Sequence, residues 1–423
     1  MKVFVPLIIA PLLLISTFNV LSNEDKIVVR NANDSGQGSL RAALLSGKTT
    51  VEIDASVGSI KLLSPLIVED VKKLNILGAG QWIDGSKIVG NDHILSMKSI
   101  ADLTVQGINF VGNAEEISQD PDKQVGGSAI YVGVPASFAQ DLNVSLKNVS
   151  IARVGGHGVH VSDCSTGSIC GGGNNAEGKG SSASIYVDLD SVSIRNVGYG
   201  RQDGDGFRVD ERGIGSIYMN ISNSLFYEAG ADGMELDEAG SGDVVVNIDK
   251  SAFLNNGAYC DLVKFKNGSK CDDEGSPDLD DGFDIDEADE GSIMINLSNT
   301  DANHNYDEGF DFDEQGKGDI VFNGKLLEAA SNLNEGIKVS EENGGSVRVL
   351  LSQLLAVDNN GSKEGVQIEE EGKGDLEVRL DRSTIIGGDR ERLQLEQADT
   401  GKGLLKIEGS NPIELDLKGV NIK

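Results

Sequence analysis

The sequence is poor in aromatic residues, in proline and in positive charge. Only 5% of its 423 residues are aromatic, with one tryptophan and seven prolines, so a large aromatic core is excluded. Lysine and arginine number 36 against 68 acidic residues, which gives a formal charge of -32. Nucleic acid is therefore excluded as a partner because like charges repel, whereas cations suit such a chain. The 54 glycines indicate many short strands and turns.

Cysteine is also scarce, with four residues in two close pairs. Close pairing in an exported chain predicts two local disulfides, Cys164–Cys170 and Cys260–Cys271. A zinc site is the other interpretation of four cysteines. The spacing does not match the usual paired ligands and no histidine is near either pair, so disulfides are favoured.

The N-terminus resembles an export signal in its physical pattern. Lys2 is followed by an almost wholly apolar stretch from Val3 to Leu14, and Val20 and Ser22 are the small residues that precede a cleavage site. We expect residues 1–22 to be a signal peptide and the mature chain to be secreted, periplasmic or attached to the cell surface, without a transmembrane segment. An uncleaved anchor is the alternative, because the apolar stretch reaches about 19 residues.

One seven-residue segment recurs along the chain. It consists of an acid, glycine, an apolar residue, a variable residue, another apolar residue and two acids. The glycines that mark its copies lie 27 to 29 residues apart, except for two intervals of 48 and 49 residues. Each long interval contains one cysteine pair, which predicts insertions at about residues 164–184 and 256–280. The marking glycines are Gly158, Gly206, Gly233, Gly282, Gly309, Gly336 and Gly365.

Each copy is followed by a second alternating segment that begins at a glycine, such as Gly215, Gly242 or Gly291, and by a shorter third segment such as Leu225–Tyr227. Alternation with a period of two and many β-branched residues predict short strands. Three strands and three turns within about 27 residues leave no room for a helix, so helical repeats are excluded. The pattern predicts a right-handed parallel β-helix over residues 51–423.

Residues 23–50 are predicted to cap the open end of this solenoid with a short amphipathic helix from Ser39 to about Leu45, since a bare end would expose core and strand edges. The segment NDSGQGSLRAAL, from Asn33 to Leu44, resembles the N-terminal cap of secreted bacterial right-handed β-helix proteins. The strand rhythm that follows is similar to that of the pectate-lyase-like superfamily. The resemblance implies this fold but no single function, because the superfamily contains enzymes, adhesins and proteins without known activity.

Alternation in the first strand of each coil directs one set of residues inward and another outward. The inward set is predicted to be Phe207, Val209, Met234, Leu236, Phe283, Ile285, Phe310 and Phe312. The outward set includes six carboxylates stacked about 4.8 Å apart between coils and about 7 Å apart along each strand. They are Glu235, Asp237, Asp284, Asp286, Asp311 and Asp313.

Stacked carboxylates repel, so they must bind protons, spread into solvent or bind cations. Calcium suits them best because it accepts six to eight oxygen ligands in flexible geometry. The sequence therefore predicts a calcium-binding acidic face that binds polysaccharide or cell-surface material. A solvated face that maintains solubility and a set of catalytic carboxylates without metal are the alternatives.

The alternative function is a calcium-dependent polysaccharide lyase, or another carbohydrate-active enzyme, acting on uronate-containing polymers. In the superfamily that the chain resembles, the base of such a lyase is usually lysine or arginine. Arg208 and Lys338 lie at the two ends of the acidic set, and Lys264 and Lys266 lie in the second insertion. These four residues are the candidate bases.

A column of asparagines faces outward on the second strand, formed by Asn220, Asn247, Asn296 and Asn323. A stacked amide ladder is the favoured interpretation, and a sugar-contacting strip is the other.

Overall fold

The computed structural model describes residues 25–114, 126–164, 179–200, 203–259, 280–359, 364–386, 393–412 and 414–423. The predicted signal peptide lies outside these residues, as do Cys170, Cys260, Cys271, Lys264 and Lys266. Those predictions therefore stay predictions. In the described part of the chain, no helix is both long and apolar enough to cross a membrane.

Nearly all of the regular secondary structure in the described residues is strand. One short helix, α1 (Leu40–Leu44), follows the first strand. The strands are, in chain order, β1 (Lys26–Val29), β2 (Thr50–Ile53), β3 (Ile60–Lys61), β4 (Leu66–Glu69), β5 (Lys73–Asp84), β6 (Leu95–Lys98), β7 (Asp102–Val111), β8 (Ile130–Gly133), β9 (Leu142–Ala152), β10 (Val159–Ser162), β11 (Ile185–Val197), β12 (Phe207–Glu211), β13 (Ile217–Ser222), β14 (Leu225–Ala229), β15 (Met234–Glu238), β16 (Val244–Asp249), β17 (Ala252–Leu254), β18 (Phe283–Glu287), β19 (Ile293–Asn303), β20 (Phe310–Glu314), β21 (Ile320–Ala330), β22 (Ile337–Glu341), β23 (Val347–Ser352), β24 (Leu355–Val357), β25 (Val366–Glu370), β26 (Leu376–Asp381), β27 (Thr384–Ile386), β28 (Leu393–Gln397), β29 (Gly403–Glu408), β30 (Asn411–Pro412), β31 (Leu415–Lys418) and β32 (Val420–Ile422).

These strands form two all-parallel sheets that run the length of a right-handed β-helix, as the repeat predicts. The first strand of each coil belongs to a 12-stranded sheet from β4 to β31, and the remaining strands form a 20-stranded sheet. Each strand pairs with its equivalent in the next coil without slippage over the acidic repeat: Asp237 pairs with Asp286, and Asp286 with Asp313. The helix axis therefore stacks equivalent residues in columns.

The core is a single apolar cluster between the two sheets. All eight residues predicted to point inward, among them Phe207, Leu236 and Phe312, are fully buried, which confirms the predicted strand register. Phe253 stacks between Phe226 and Phe283, with ring centroids 4.9 and 5.3 Å apart. Stacking of like residues thus fills the interior coil by coil.

Sharp corners join the strands of a coil. At the bend between the second and third strands, Asn223, Lys250 and Asn299 all adopt a left-handed conformation with φ near 50°. At the turn that enters the second strand, glycine is required by close approach of the coils. A Cβ atom on Gly242 or Gly318 would lie 1.4 Å from the carbonyl oxygen of the equivalent glycine in the preceding coil.

Two asparagine ladders run along the solenoid. The predicted exposed ladder forms, with each amide donating to the preceding side-chain oxygen at 3.0 to 3.2 Å, which confirms the structural interpretation. A second, fully buried ladder was not predicted: Asn256 donates to Asn305, Asn305 to Asn332, and Asn332 to Asn359, each at 3.0 Å.

The predicted capping helix is present but short. Ser39 is its N-cap and accepts a hydrogen bond from the Ala42 N–H at 3.2 Å, and Leu40, Ala43 and Leu44 are buried. Arg41 holds the cap in place by donating to Asp34 at 2.7 Å and to backbone carbonyls of the next turn.

Candidate functional site

The outward surface of the 12-stranded sheet carries most of the ionisable groups that face one another. We call its central part the acidic face, defined as the outward side chains of β10, β12, β15, β18, β20 and β22. They are His160, Ser162, Arg208, Asp210, Glu235, Asp237, Asp284, Asp286, Asp311, Asp313, Lys338 and Ser340. The six predicted carboxylates therefore stack as expected, with Arg208 next to Glu235 at one end and Lys338 next to Asp311 at the other.

The acidic face is not a solvated surface. Asp237 and Asp311 are 1% and 7% exposed, and the other four predicted carboxylates are only partly exposed. A buried charge is unfavourable unless another charge or a hydrogen bond compensates it. The alternative of a solubility-maintaining face is therefore disfavoured, and each carboxylate needs a compensating partner.

At the N-terminal end, one arginine supplies that compensation. The guanidinium of Arg208 donates to Asp203 and Asp210 at 2.9 Å, to Asp237 at 3.4 Å, and also to Glu235. Burial disfavours its charge, but these carboxylates raise the pKa of Arg208 well above its usual value. Burial likewise opposes ionisation of Asp210, yet the pKa of its carboxyl falls well below the usual range because Arg208 and His160 favour the anion.

A second arginine, which sequence reasoning missed, lies just after β12. Arg212 is fully buried and forms a two-pronged ion pair with Asp237, with a further contact to Asp210 at 3.2 Å. The sequence does mark Arg212 as exceptional, because the equivalent position in the next two coils is alanine, at Ala239 and Ala288. The negative charge of Asp237 is thus compensated by arginine side chains of the protein, without a bound cation.

At the C-terminal end, Lys338 donates to Asp311 at 2.7 Å and to Asp313 at 3.1 Å. Burial disfavours the ammonium, but the two aspartates raise the pKa of Lys338 overall. A general base must be able to lose its proton near the working pH. Because their pKa values are raised, Arg208 and Lys338 stay charged. Each is therefore better suited to neutralise an anion than to accept a proton as a base.

Between these two ends lies a group of acids with less compensation. A column of residues flanks the acidic face and consists of the residue before each marking glycine. It brings Asp281 and Glu308 beside Asp311, and oxygens of all three lie within 4.8 Å of one another. All three residues are buried. The Oδ1 of Asp311 makes no hydrogen bond within the described residues. Burial and repulsion from Asp311 raise the pKa of Glu308 to about 10. Burial and repulsion from Asp313 raise the pKa of Asp311 to about 8, although Lys338 opposes this shift.

Only Asp311 of this trio is among the six predicted calcium ligands. Asp281 and Glu308 begin the repeated segment, so the sequence marked them, but alternation within the strand did not direct them outward. Burial and repulsion from Glu308 raise the pKa of Asp281 well above its usual value. Burial and the charge of Asp286 do the same for Asp284, and the pKa of Asp286 rises to about 6. The centre of the face is therefore short of positive charge.

A second trio, Asp203, Asp205 and Glu235, is equally close together. The Nη1 of Arg208 lies 2.9 Å from Asp203, 3.4 Å from Asp205, and within hydrogen-bonding distance of Glu235. A guanidinium already occupies the centre of this group, which therefore fits a metal ion less well than Asp281, Glu308 and Asp311.

Aromatic and imidazole rings extend the surface beyond the acids. His93 stacks on Tyr131 at 4.5 Å, Tyr131 contacts His160 edge-on at 5.4 Å, and His157 lies 4.8 Å from His160. Nδ1 of His157 lies 3.0 Å from Asp205. Burial lowers the pKa of His160, although Asp210 opposes this effect. His157 and His160 belong to the repeat copy marked by Gly158, but His93 and Tyr131 lie in earlier coils without the repeat, so the pattern did not predict that the rings meet.

A further column of acids is buried at the end of each first strand. We call it the glutamate column, and its members are Asp163, Glu211, Glu238, Glu287, Glu314, Glu341, Glu370 and Gln397. Each of the six glutamates accepts backbone N–H groups of the following turn, as Glu238 does from Gly240 at 3.1 Å and Gly242 at 3.3 Å. The column therefore fixes the turn that starts the second strand.

The carboxyl groups of the glutamate column also contact one another. Glu238 is within hydrogen-bonding reach of Glu211 and Glu287, and burial raises its pKa to about 11. Burial also raises the pKa of Glu314 to about 9. Buried carboxyl groups in contact cannot all be ionised, and the raised pKa values of Glu238 and Glu314 make these two the members that hold protons near neutral pH.

The remaining predicted residues divide between described and undescribed parts. Cys164 is buried, and its predicted partner Cys170 is outside the described residues. The Cys260–Cys271 pair and the candidate bases Lys264 and Lys266 lie outside them as well. Both disulfides and both lysine roles stay predictions.

No family model matches the chain, and the search of curated proteins found no match. Solved structures that resemble it include the catalytic unit of a thermostable GH87 α-1,3-glucanase from Streptomyces thermodiastaticus strain HF3-3, at a TM-score of 0.33 and 13% identity over 92% of this chain and 68% of that one. Another is a double mutant of the periplasmic alginate epimerase AlgG, at a TM-score of 0.28 and 11% identity over 83% of this chain and 77% of that one. Fold and site together define a class: a right-handed parallel β-helix protein with a buried acidic face.

Proposed function

We propose that this chain is a secreted calcium-binding β-helix protein that binds acidic polysaccharide through its acidic face. The observation that carries the proposal is the trio of Asp281, Glu308 and Asp311, three buried carboxylates with oxygens within 4.8 Å. Their pKa values are raised, which means that the single ammonium of Lys338, paired with Asp311, does not compensate the anionic forms of all three. A bound divalent cation would supply the missing positive charge.

Calcium suits this trio better than magnesium or zinc. Carboxylate oxygens alone are hard ligands, and neither cysteine nor histidine belongs to the trio. Calcium tolerates irregular geometry and six to eight oxygens, whereas magnesium requires a near-ideal octahedron. Three protein carboxylates leave several coordination positions for other oxygens.

Those positions are the reason for proposing an acidic polysaccharide as the partner. A uronate carboxylate can complete the calcium coordination, while Arg208 and Lys338 attract further carboxylates at the ends of the face. Equivalent residues repeat about every 4.8 Å along the solenoid, which suits an extended polymer lying parallel to the axis. A short acidic peptide would use little of that length.

The direct test is retention of the protein on immobilised polygalacturonate or alginate. Calcium should strengthen retention of the wild-type chain, and chelator should reverse that gain. Asp281→Asn combined with Glu308→Gln should abolish the gain from calcium, because the amides keep the oxygens that accept the Glu308 N–H and the Asn334 amide but lose the charge. The control Glu377→Gln, on the exposed surface of the other sheet, should bind normally. Retention that is insensitive to chelator would refute the proposal.

One observation favours the alternative of a lyase acting on uronate-containing polymers. His160 has a lowered pKa and is partly exposed beside Arg208, so a neutral imidazole lies next to a guanidinium that can neutralise a substrate carboxylate. Proton abstraction beside a uronate carboxylate requires both groups. Digestion of uronate polymers would then give unsaturated ends with new ultraviolet absorbance. His160→Ala should lower that rate by about 10² to 10⁴-fold. No unsaturated product from any uronate polymer is the result that the binding function predicts.

A further inference from the structure

A groove lies on the 20-stranded sheet and is lined by none of the residues of the acidic face. It has a volume of about 790 Å³. Its floor is a single column of outward residues in which Val111 pairs with Ala152, Ala152 with Arg195, Arg195 with Tyr227, and Tyr227 with Leu254. With Asp84 before Val111, the column crosses six coils, a length of about 24 Å. The groove is therefore long and narrow and runs along the axis.

Aromatic rings lie toward both ends of this groove. Trp82, the only tryptophan of the chain, is partly exposed on β5 at one end. Tyr227 is partly exposed on β14 near the other. Between them, Ala152 keeps the floor low. The two aromatic side chains, with a shallow floor between them, provide stacking surfaces for an extended ligand built of several rings.

The charge of the groove is opposite to that of the protein. Two guanidinium groups, those of Arg153 and Arg195, line it and both residues are exposed. The only carboxylate that lines it within the described residues is Asp84, which pairs with Lys61 at 3.8 Å and so is already compensated. In a chain of formal charge -32, such a groove favours an anionic ligand.

We propose that this groove is a second saccharide-binding site, selective for an oligosaccharide that carries carboxylate groups. The apolar faces of its sugar rings would pack on Trp82 and Tyr227, and Arg195 would bind a carboxylate through two parallel hydrogen bonds. No metal is required, because the groove supplies its own positive charge. The site is thus separate from the acidic face in position, in charge and in its independence of calcium.

Because Trp82 is the only tryptophan, its fluorescence reports on this groove alone. Titration with oligogalacturonate in the presence of chelator should change Trp82 emission saturably. Chelator silences the calcium-dependent binding proposed for the acidic face, so failure of one site is distinguishable from failure of the other. Arg195→Gln and Tyr227→Ala should each weaken this binding by about ten-fold or more. Arg379→Gln, an exposed arginine on a different part of the sheet, should leave it unchanged.

Comparison with the methyl-esterified form of the same oligosaccharide distinguishes recognition of its carboxylates from nonspecific binding. Binding of the ester should be at least about ten-fold weaker, because the carboxylate partner of Arg195 is lost. Equal binding of acid and ester would overturn the proposal, as would no emission change with either. A response to an apolar peptide but not to the oligosaccharide would also overturn it and would assign the groove to protein docking.

Discussion

Gln397 donates a hydrogen bond from its side-chain nitrogen to Oε2 of Glu370, at the point where the glutamate column ends. The six preceding members are glutamates, preceded by Asp163. An amide is a permanent donor, whereas a carboxyl group donates only when protonated. Gln397, the last member of the column, is therefore a donor at every pH. Glu238 and Glu314 can donate only because their raised pKa values keep them protonated.

This relationship predicts that the fold loses stability as the pH rises. The native pKa values of Glu370, Asp163 and Glu314 are raised to about 7, 8 and 9, so the folded state holds protons that the unfolded state has released. Their stabilising contribution is complete below the unfolded pKa values and is lost as the pH passes the folded ones. In chelator, the free energy of unfolding should fall between pH 5 and pH 9. A stability that is flat or rises over that range would contradict shared protons in the column.

Glu238→Gln should remove part of that pH dependence. Glutamine keeps the oxygen that accepts from Gly240 and Gly242 and adds a permanent donor toward a neighbouring carboxylate. Chemical denaturation should show little change at pH 5 and higher stability at pH 9. Between pH 5 and pH 9, where native Glu238 keeps a proton that the unfolded chain has released, the fall in stability should become shallower by about 1.4 kcal/mol per pH unit. Glu377→Gln, on an exposed surface, is the matched control, and loss of stability in Glu238→Gln at both pH values would show that the site requires an acid.

Arg212→Met should be among the most destabilising substitutions in the chain. It leaves Asp237, which is 1% exposed, without its two-pronged partner. Breaking a buried ion pair from one side costs about 3 to 5 kcal/mol. Adding Asp237→Asn should restore part of the loss, because it removes the uncompensated charge. The exposed pair of Arg348 and Asp319 offers the comparison: Arg348→Met should cost about 1 kcal/mol or less.

The two asparagine ladders should differ sharply in their contribution to stability. Asn305→Ala removes hydrogen bonds in the buried ladder and leaves the Asn256 amide without its acceptor, at a cost of about 1 to 3 kcal/mol. Asn296→Ala, in the exposed ladder of the same coil, leaves groups that water can satisfy and should cost about 0.5 kcal/mol or less. Equal losses in urea denaturation would mean that burial does not decide the contribution of a ladder.

The fold could be predicted because two periodicities agree along the chain. Alternation assigned Phe310 and Phe312 to the core, and the 27-residue spacing placed Asp284 beside Asp311, as observed. Both properties are local in sequence. Stacking of identical positions then follows from the solenoid itself, without knowledge of side-chain packing.

The candidate site could be predicted only in outline. Alternation states which face a residue occupies but not how deeply it is covered, so the burial of Asp237 could not be foreseen. The role of Arg212 depends on a rotamer that carries its side chain back to Asp237. Asp281 precedes the strand, where alternation does not apply, and His93 meets Tyr131 from a coil that lacks the acidic repeat.

The central claim is that calcium binds between Asp281, Glu308 and Asp311, and the melting temperature tests it most directly. At neutral pH, calcium at a hundredfold excess over its dissociation constant should add about 2.7 kcal/mol of stability to the wild-type chain and raise its melting temperature. In chelator, Asp281→Asn with Glu308→Gln should melt close to the wild type, because the raised pKa values keep both wild-type groups protonated and uncharged at neutral pH. The double variant should not respond to calcium. Identical wild-type melting curves in calcium and in chelator would contradict the account.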